Sequence, residues 1–184
     1  MIIGIAGKKQ VGKNTVASML QYLIEEKYDK EFTILPFAHI LKKNVSDILH
    51  CRPERLEEEW FKEMPIDWLY GITPRDLLQR IGTEVGRHID SNIWTESYFR
   101  AVDSDANLII PDVRFKNEVD SITQRNGVVI HILRNTSYTD THISETDLDN
   151  YKNPNYIIIN NSDLSDLFKS AKNIVEDLAI HNYI

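Results

Sequence analysis

Apolar residues fall along this chain in two alternating rhythms: short β-branched runs, and longer stretches with spacings of three and four. Ile2, Ile3 and Ile5 form the first run, as a strand buried on both faces requires. Val16, Leu20, Leu23 and Ile24 then recur at helical spacing, which predicts a helix opening at about Lys13. Residues 32–36 (FTILP) read as a second buried strand, and the residues from Phe37 lead into a helix ending near His50. Residues 52–72 are irregular, with Pro53, Pro65, the acidic run Glu57-Glu58-Glu59 and the aromatics Trp60, Phe61, Trp68 and Tyr70. The acidic run reads as a solvated helix face. The aromatics either close a satellite core or offer cover for a base.

Thr73-Pro74-Arg75-Asp76 carries the marks of a helix start: a capping hydroxyl, proline at the first helical position and an acid in the first turn. Stepping 100° per residue from there puts Leu77, Leu78, Ile81 and Val85 on one side, as a core face. Arg75, Gln79, Gly82, Thr83 and Gly86 share the other side. Glycine inside a helix costs about 1 kcal/mol relative to alanine, so the pair needs a reason. Close helix–helix packing is one reason. A cleared ligand face, read by Arg75, Gln79 and Thr83 with Arg80 and Arg87 nearby, is the other and is favoured.

A helix follows from Ile93-Trp94 through Phe99 to about Val102, and residues 107–112 (NLIIPD) form a buried strand ending in an acid. Val119 and Ile122 supply the core face of the next helix, which Asn126-Gly127 stops. Residues 128–133 (VVIHIL) are the fourth strand, with Arg134 at its carboxyl end. A polar segment, about 135–151, suggests a lid or a surface loop. Residues 155–159 are the fifth strand. Leu164, Leu167, Phe168, Ala171, Ile174, Val175 and Leu178 then predict an amphipathic helix with all seven in the core. Strands alternating with helices predict an α/β fold, a three-layer sandwich around a five-stranded parallel sheet.

The chemistry begins between the first strand and the first helix. Gly7-Lys8-Lys9-Gln10-Val11-Gly12-Lys13 has the G-x4-G-K spacing of a phosphate-binding loop. Glycines let the backbone curl so that several N–H groups face one anion, and the helix N-terminus adds partial positive charge. Lys13 would neutralise the β- and γ-phosphates of a nucleoside triphosphate. Asn14 stands where the usual motif has the Ser or Thr that holds Mg²⁺. It would meet the ion by its carbonyl or through a water, and Thr15 would contact an α-phosphate. An apolar strand ending in Asp112 offers a carboxylate for Mg²⁺. Lys42 reads either as a phosphate contact near a strand end or, with Lys43, as a solvated helix face. His39 and His50 read as surface or capping residues.

At 184 residues, 42% of them hydrophobic and 27% charged, the chain fits one ordinary globular domain. A formal net charge of −7 argues against a nucleic-acid polymer as partner. Any anionic ligand must meet a local cluster of cations instead. Cys51 is the sole cysteine, which excludes a disulfide framework and a thiolate metal site. No basic, apolar leader and no 18-residue apolar run is visible, so a cytoplasmic protein that binds no membrane is expected. Oligomeric state is open, with a homodimer possible.

Several stretches resemble the bacteriophage deoxynucleoside monophosphate kinases, within the nucleoside monophosphate kinase-like group of phosphate-loop proteins. They are GKKQVGKNT, PFAHILKK, PRDLLQRIGTEVGRHID with Trp94 after it, IIPDVRFKNEVDSI, and HISETDLD with the closing IIINNSDL. The resemblance implies a P-loop nucleoside triphosphate hydrolase-like fold with a helical substrate-binding insertion (about 37–104) and a lid. It implies transfer of the ATP γ-phosphoryl to a deoxynucleoside 5′-monophosphate, with Mg²⁺, in nucleotide biosynthesis, in host cytoplasm if phage-encoded. Carried over by position, it gives Gly7, Lys8, Gln10, Val11, Gly12, Lys13, Asn14 and Thr15 to ATP. Lys13 would hold the transferring group, and Asp112 would organise the metal and the acceptor. Phe37, Lys42, Arg75, Gln79, Gly82, Thr83, Glu84, Arg87 and Trp94 would form the monophosphate pocket. Arg114 and Arg134 would contact phosphates, and Asn161 would lie near adenine. The group tolerates Asp or Asn after the loop lysine, so Asn14 is not foreign to it. The rival readings are another small-molecule kinase, acting on phosphomevalonate or dephospho-coenzyme A, and a nucleotide-dependent switch. Against the switch, the chain has no guanine-reading N-K-x-D sequence.

Overall fold

The computed structural model describes residues 1–135 and 142–184. In chain order the elements begin with β1 (Ile2–Ala6), α1 (Lys13–Tyr28), β2 (Thr33–Ile34), α2 (His39–Ile48) and α3 (Glu59–Lys62). There follow α4 (Pro74–Gln79), a π-helical stretch (Arg80–Gly86), α5 (Arg87–Ile89) and α6 (Ile93–Ala101). The chain then runs through β3 (Leu108–Val113), α7 (Lys116–Thr123), β4 (Val128–Leu133), α8 (Ile143–Thr146), β5 (Tyr156–Ile159) and α9 (Leu164–Ile180). By contact the chain divides into two compact units, one of residues 1–36 with 103–184 and one of residues 37–102.

The first unit holds one five-stranded sheet, ordered β2-β3-β1-β4-β5, with every pairing parallel. The three middle strands are nearly continuous in buried apolar residues because helices cover both sides. Ile3, Ile5, Ile130, Ile132 and Ile158 point to one side and form the main core with Val16, Leu20 and Ile24 of α1 and Leu167, Ile174 and Leu178 of α9. Full burial of each such side chain stabilises by about 1.5–3 kcal/mol. Ile122 of α7 covers the other side, where a Cβ on Gly4 would meet its Cδ1 at 2.5 Å. The three-layer α/β expectation therefore holds for this unit.

Differences lie at the edges and ends. The second strand has only two formal residues, and Thr33 is exposed, so it is an edge strand rather than a buried one. Its pairing does run one residue further, with the Leu35 N–H donating to Ile109 O at 3.0 Å. At the opposite edge, Ile157 and Ile159 of β5 are exposed. Leu164 is 66% exposed and lies outside the core that Leu167, Ala171, Ile174, Val175 and Leu178 of α9 join, because it sits in the first turn, at the end of the stripe, and Phe168 is only half-buried.

The middle of β3 contains a proline, which removes a ladder donor and is tolerated in sheets mainly at bulges and edges. A bulge is what the register shows. Gly4 pairs with Ile110, but Ala6 pairs with Val113, so two steps on β1 face three on β3. The extra residue reverses the alternation, so that Val113 joins Ile110 on the α7 side and Asp112 turns to the α1 side. Asp112 is thus one residue inside the strand, aimed by the bulge.

The second unit is helical. Val45, Leu56 and Phe61 centre a small core, against which Leu41, Leu49, Leu77, Leu78 and Ile81 pack. Thr73 caps α4 as its sequence predicts: its hydroxyl accepts from the Asp76 N–H at 3.1 Å, and Asp76 accepts from the Thr73 N–H at 2.9 Å. Beyond Gln79 the 100° wheel fails. Residues 80–86 are π-helical, with more residues per turn, so facing slips along the stretch. Val85, expected in the core, is 54% exposed, whereas Gly82 and Gly86 are buried. A Cβ on Gly82 would lie 2.7 Å from Leu41 Cδ2, and one on Gly86 would lie 2.6 Å from Trp94 Cζ2. Close packing gives both glycines a reason. The acidic run is also more than a wet face. Glu57 pairs with Lys42 at 2.6 Å, Glu58 with Arg55 at 3.5 Å, and Glu59 with Lys62 and Arg75, each at 2.7 Å.

Candidate active site

The loop from Gly7 to Lys13 leaves the carboxyl end of β1 and enters α1. Gly7 and Gly12 have φ of 144° and 102°, conformations that side-chain-bearing residues rarely adopt. Space enforces the same choice, because a Cβ on Gly7 would lie 2.6 Å from Ile132 O and one on Gly12 2.8 Å from Asn160 Nδ2. Asn160, just past β5, is 7% exposed and donates through Nδ2 to Val11 O at 2.8 Å. A buried side-chain amide thus supports the loop from beneath.

Lys13 is 9% exposed, and its Nζ donates to the carbonyls of Gly7 at 2.7 Å and Lys8 at 2.6 Å. Burial pushes its pKa down to about 7, and the Arg114 charge adds to the fall. Asp112 acts the other way, favouring the charged amine. Asp112 and Arg114 are therefore both within electrostatic reach of Lys13.

A cavity of about 590 Å³ opens beside the loop. Gly7, Lys8, Val11, Arg134 and Asn161 of the expected ATP site line it, together with Arg114, expected to contact phosphates. Its polar wall also includes His131, Glu145 and Asp149, which sequence reasoning did not single out as ligands. His131 sits near the carboxyl end of β4, with its pKa lowered chiefly by burial; Asp149 opposes that shift and Lys13 adds to it. Asn161 accepts from the Asn135 N–H at 2.8 Å through Oδ1. Gln10 is exposed in the loop with φ of 65°, and Asn14 and Thr15 are exposed on the first turn of α1.

Arg114 follows the bulged strand. Its N–H donates to Glu118 Oε2 at 2.7 Å, and the Phe115 N–H donates to the same oxygen at 3.1 Å, which caps the start of α7. The guanidinium Nη1 donates to Glu145 Oε1, and Glu145 Oε2 accepts from the Lys9 N–H at 2.8 Å. Of the expected lid, residues 136–141 lie outside the described residues. The described part contains α8, whose N-cap is His142, accepting from the Ser144 N–H at 3.2 Å.

The second unit carries the residues expected to bind the monophosphate. Arg75 donates from Nε to Glu63 at 2.5 Å and from Nη2 to Glu59 at 2.7 Å. Lys42 is paired with Glu57, and Arg87 Nη1 donates to Ser91 O at 3.1 Å. Trp94 Nε1 donates to Gly82 O at 2.7 Å, tying α6 to the π-helical stretch. Gln79 and Thr83 are half-buried and Glu84 is exposed. Phe37 is a correction in kind. At 2% exposure it is enclosed edge-on by Tyr98 at 4.9 Å and Phe99 at 5.8 Å, which makes it a packing residue with almost no surface to offer a monophosphate.

A glycine loop between the first strand and helix, a buried lysine folded over it and a 2-3-1-4-5 parallel sheet define a phosphate-loop nucleotide-binding protein. Comparison with known proteins narrows the class. Residues 67–171 match the family described as deoxynucleotide monophosphate kinase. A protein of Acanthamoeba polyphaga mimivirus, named provisionally as a deoxynucleotide monophosphate kinase, is 32% identical over 201 residues, covering 99% of this chain and 100% of that protein. The chain belongs to the deoxynucleotide monophosphate kinase family and is a phosphotransferase that uses a nucleotide phosphoryl donor. Among solved structures, shikimate kinase from Aquifex aeolicus aligns with 98% of this chain and 99% of its own, at 14% identity and a TM-score of 0.46. Shikimate kinase from Acinetobacter baumannii in complex with shikimate aligns with 97% and 90%, at 13% identity and a TM-score of 0.39. Both likenesses are too distant to bear on the reaction.

Proposed function

We propose that the chain transfers the γ-phosphoryl group of ATP to a deoxynucleoside 5′-monophosphate, releasing ADP and the deoxynucleoside diphosphate. The observation that carries this reading is the meeting of the Gly7–Lys13 loop, Arg114 and Arg134 at one cavity, with Lys13 and Asp112 in electrostatic reach. An oxygen of the acceptor phosphate attacks the γ-phosphorus, and the bond to the β–γ bridging oxygen breaks. The acceptor is already ionised, so no strong general base is required. Catalysis then rests on alignment and on cationic neutralisation of the equatorial oxygens. Lys13 and the loop amides hold the donor phosphates, Arg114 and Arg134 neutralise the transferring group, and Asn161 lies at the base of ATP.

In this reading the acceptor is held by Lys42, Arg75, Gln79, Thr83, Arg87 and Trp94. The Lys42 and Arg75 cations now rest on Glu57, Glu59 and Glu63, carboxylates that a phosphate would replace. Gly82 would contribute by its carbonyl only through Trp94, and Glu84 by its exposed carboxylate.

The donor set suits Mg²⁺. Among the described residues no group of three or more His, Cys, Asp or Glu side chains gathers. Mg²⁺ ordinarily takes one or two protein oxygens and completes its shell with water and phosphate. Asp112, with Asn14 by its carbonyl or through a water, would hold it, and the ion would supply charge neutralisation at the donor phosphates. Nucleotides are the proposed partners. Among the described residues no helix is long and apolar enough to cross a membrane.

The test is a panel of deoxy- and ribonucleoside monophosphates with ATP and Mg²⁺, read by ADP release and product identity. ADP release stimulated by at least one deoxynucleoside monophosphate is the expected result. Release stimulated by none of them would end the reading.

A further inference from the structure

Glu145 has 7% side-chain exposure, yet it carries a carboxylate at the rim of the phosphate loop. One oxygen accepts from the Lys9 N–H at 2.8 Å and the other accepts from Arg114 Nη1. A single carboxylate therefore fixes the spacing between the loop backbone and a guanidinium. Two further acids at alternate positions tether the same segment elsewhere. Asp147 Oδ2 accepts from the Lys116 N–H at 2.8 Å, and Asp149 pairs with Lys8 Nζ at 2.8 Å. Arg114 is gripped at both ends, its main chain by Glu118 and its side chain by Glu145.

We propose that Glu145 is a positioning residue for phosphoryl transfer, acting by orienting the Arg114 guanidinium against the phosphate loop. This rests on the reading of Arg114 as a phosphate contact. Arginine carries five donors in a rigid planar fork, so gripping Nη1 sets the plane of the whole group. A long side chain held in one rotamer loses its entropy on folding rather than at the moment of reaction, which is how preorganised sites gain rate. The alternative, a carboxylate holding the place of a phosphate and leaving on each turnover, requires a buried charge to lose two donors beside an incoming anion. Breaking a buried pair in that way is strongly unfavourable. The pair is also formally neutral, so Glu145 does not repel the nucleotide as a bare carboxylate would.

The experiment is a two-background comparison of the full chain. Steady-state kcat and the KM for ATP are measured for Glu145→Gln, Arg114→Ala and the double variant, with circular dichroism to verify folding. Glutamine brings an NH2 group against one of the two donors, so it cannot bridge them. Glu145→Gln is expected to lower kcat by about tenfold or more with little change in KM, and to cause no further loss in the Arg114→Ala background. Asp147→Ala, which removes the acceptor for the Lys116 N–H and so loosens the same segment without touching Arg114, is expected to keep kcat within about twofold. Equal losses from Glu145→Gln in both backgrounds, or a loss in Asp147→Ala as large as in Glu145→Gln, would overturn the proposal. So would faster turnover or a lowered KM in Glu145→Gln, which would mark the contact as a competitor of phosphate. Should Glu145→Gln fail to fold, Glu145→Asp, one methylene too short to span both donors, takes its place in the same comparison. Lys13→Ala measured alongside separates the two levels. If Lys13→Ala and Arg114→Ala are both fully active, the phosphoryl-transfer reading itself is lost. If both are impaired and Glu145→Gln is not, only the positioning role is lost.

Discussion

Asn160 and Val11 lie 149 positions apart in sequence, yet the Asn160 side-chain amide donates to the Val11 carbonyl at 2.8 Å in a buried site. The bond joins the carboxyl end of β5 to the phosphate loop and props the turn one residue before Gly12. Asn160→Ala leaves a buried carbonyl without its partner, which costs about 1–3 kcal/mol. Thermal unfolding should register that loss, and the KM for ATP should rise as the loop loosens. An unchanged melting temperature with an unchanged KM would show that the loop holds its shape unaided.

Lys13 is expected to be indispensable. Removing one preorganised cation of this kind commonly costs about 10²–10³ in rate, so Lys13→Ala should lose about that much kcat while keeping a wild-type circular dichroism spectrum. Steady-state ADP release checks it, and full activity in the folded variant would refute the assignment.

The lowered pKa of Lys13, about 7, gives a second, independent readout. A lysine whose folded pKa lies below its unfolded value destabilises the fold most when charged. That penalty is fully present below pH 7 and is relieved as pH rises toward the unfolded value. A bound polyphosphate favours the charged amine and raises the pKa. Binding of ATP at about pH 8 should then take up a proton, seen as a buffer-dependent enthalpy in titration calorimetry. Lys13→Met should abolish that uptake. Equal enthalpies in buffers of different ionisation heat would count against a neutral Lys13 in the free protein.

Asp112 is the acid that the bulge directs to the α1 side. Asp112→Ala should nearly abolish turnover without unfolding the chain, since the residue is half-buried and contributes no apolar packing. Retained activity in the purified variant would remove it from the machinery.

Gly82 and Gly86 separate two kinds of close approach. A Cβ at Gly82 meets the far end of the flexible Leu41 side chain, which can rotate away, and alanine recovers helix propensity worth about 1 kcal/mol. A Cβ at Gly86 meets three atoms of the Trp94 indole within 2.9 Å, a rigid ring that is also hydrogen-bonded to Gly82 O. Gly86→Ala should therefore destabilise by about 1–3 kcal/mol, and Gly82→Ala by clearly less. Paired chemical-denaturation curves decide the order.

Much of this protein was determined by local spacing alone. The β-branched runs, the helical stripes of α1 and α9, the Thr73–Asp76 cap and the Gly7–Lys13 loop are all properties of neighbouring residues. Their periods are set by backbone geometry, so the sequence carries them directly. The alternation of strand and helix likewise made the parallel sheet legible before any coordinate. What only the tertiary structure decided depends on residues far apart. The facing of Asp112 follows from a register shift between β1 and β3 around Pro111, which no single strand contains. The exposure of Val85 and the burial of Gly82 and Gly86 follow from a π-helical stretch packed on Leu41 and Trp94, not from an ideal wheel. Asn160 under the loop, His131 and Glu145 at the cavity, and the pairing of the Glu57–Glu59 run with basic partners needed segments brought together by folding. Sequence spacing fixes what one element can bury. Which distant group meets which is settled only when the layers close and every buried polar atom must find a partner.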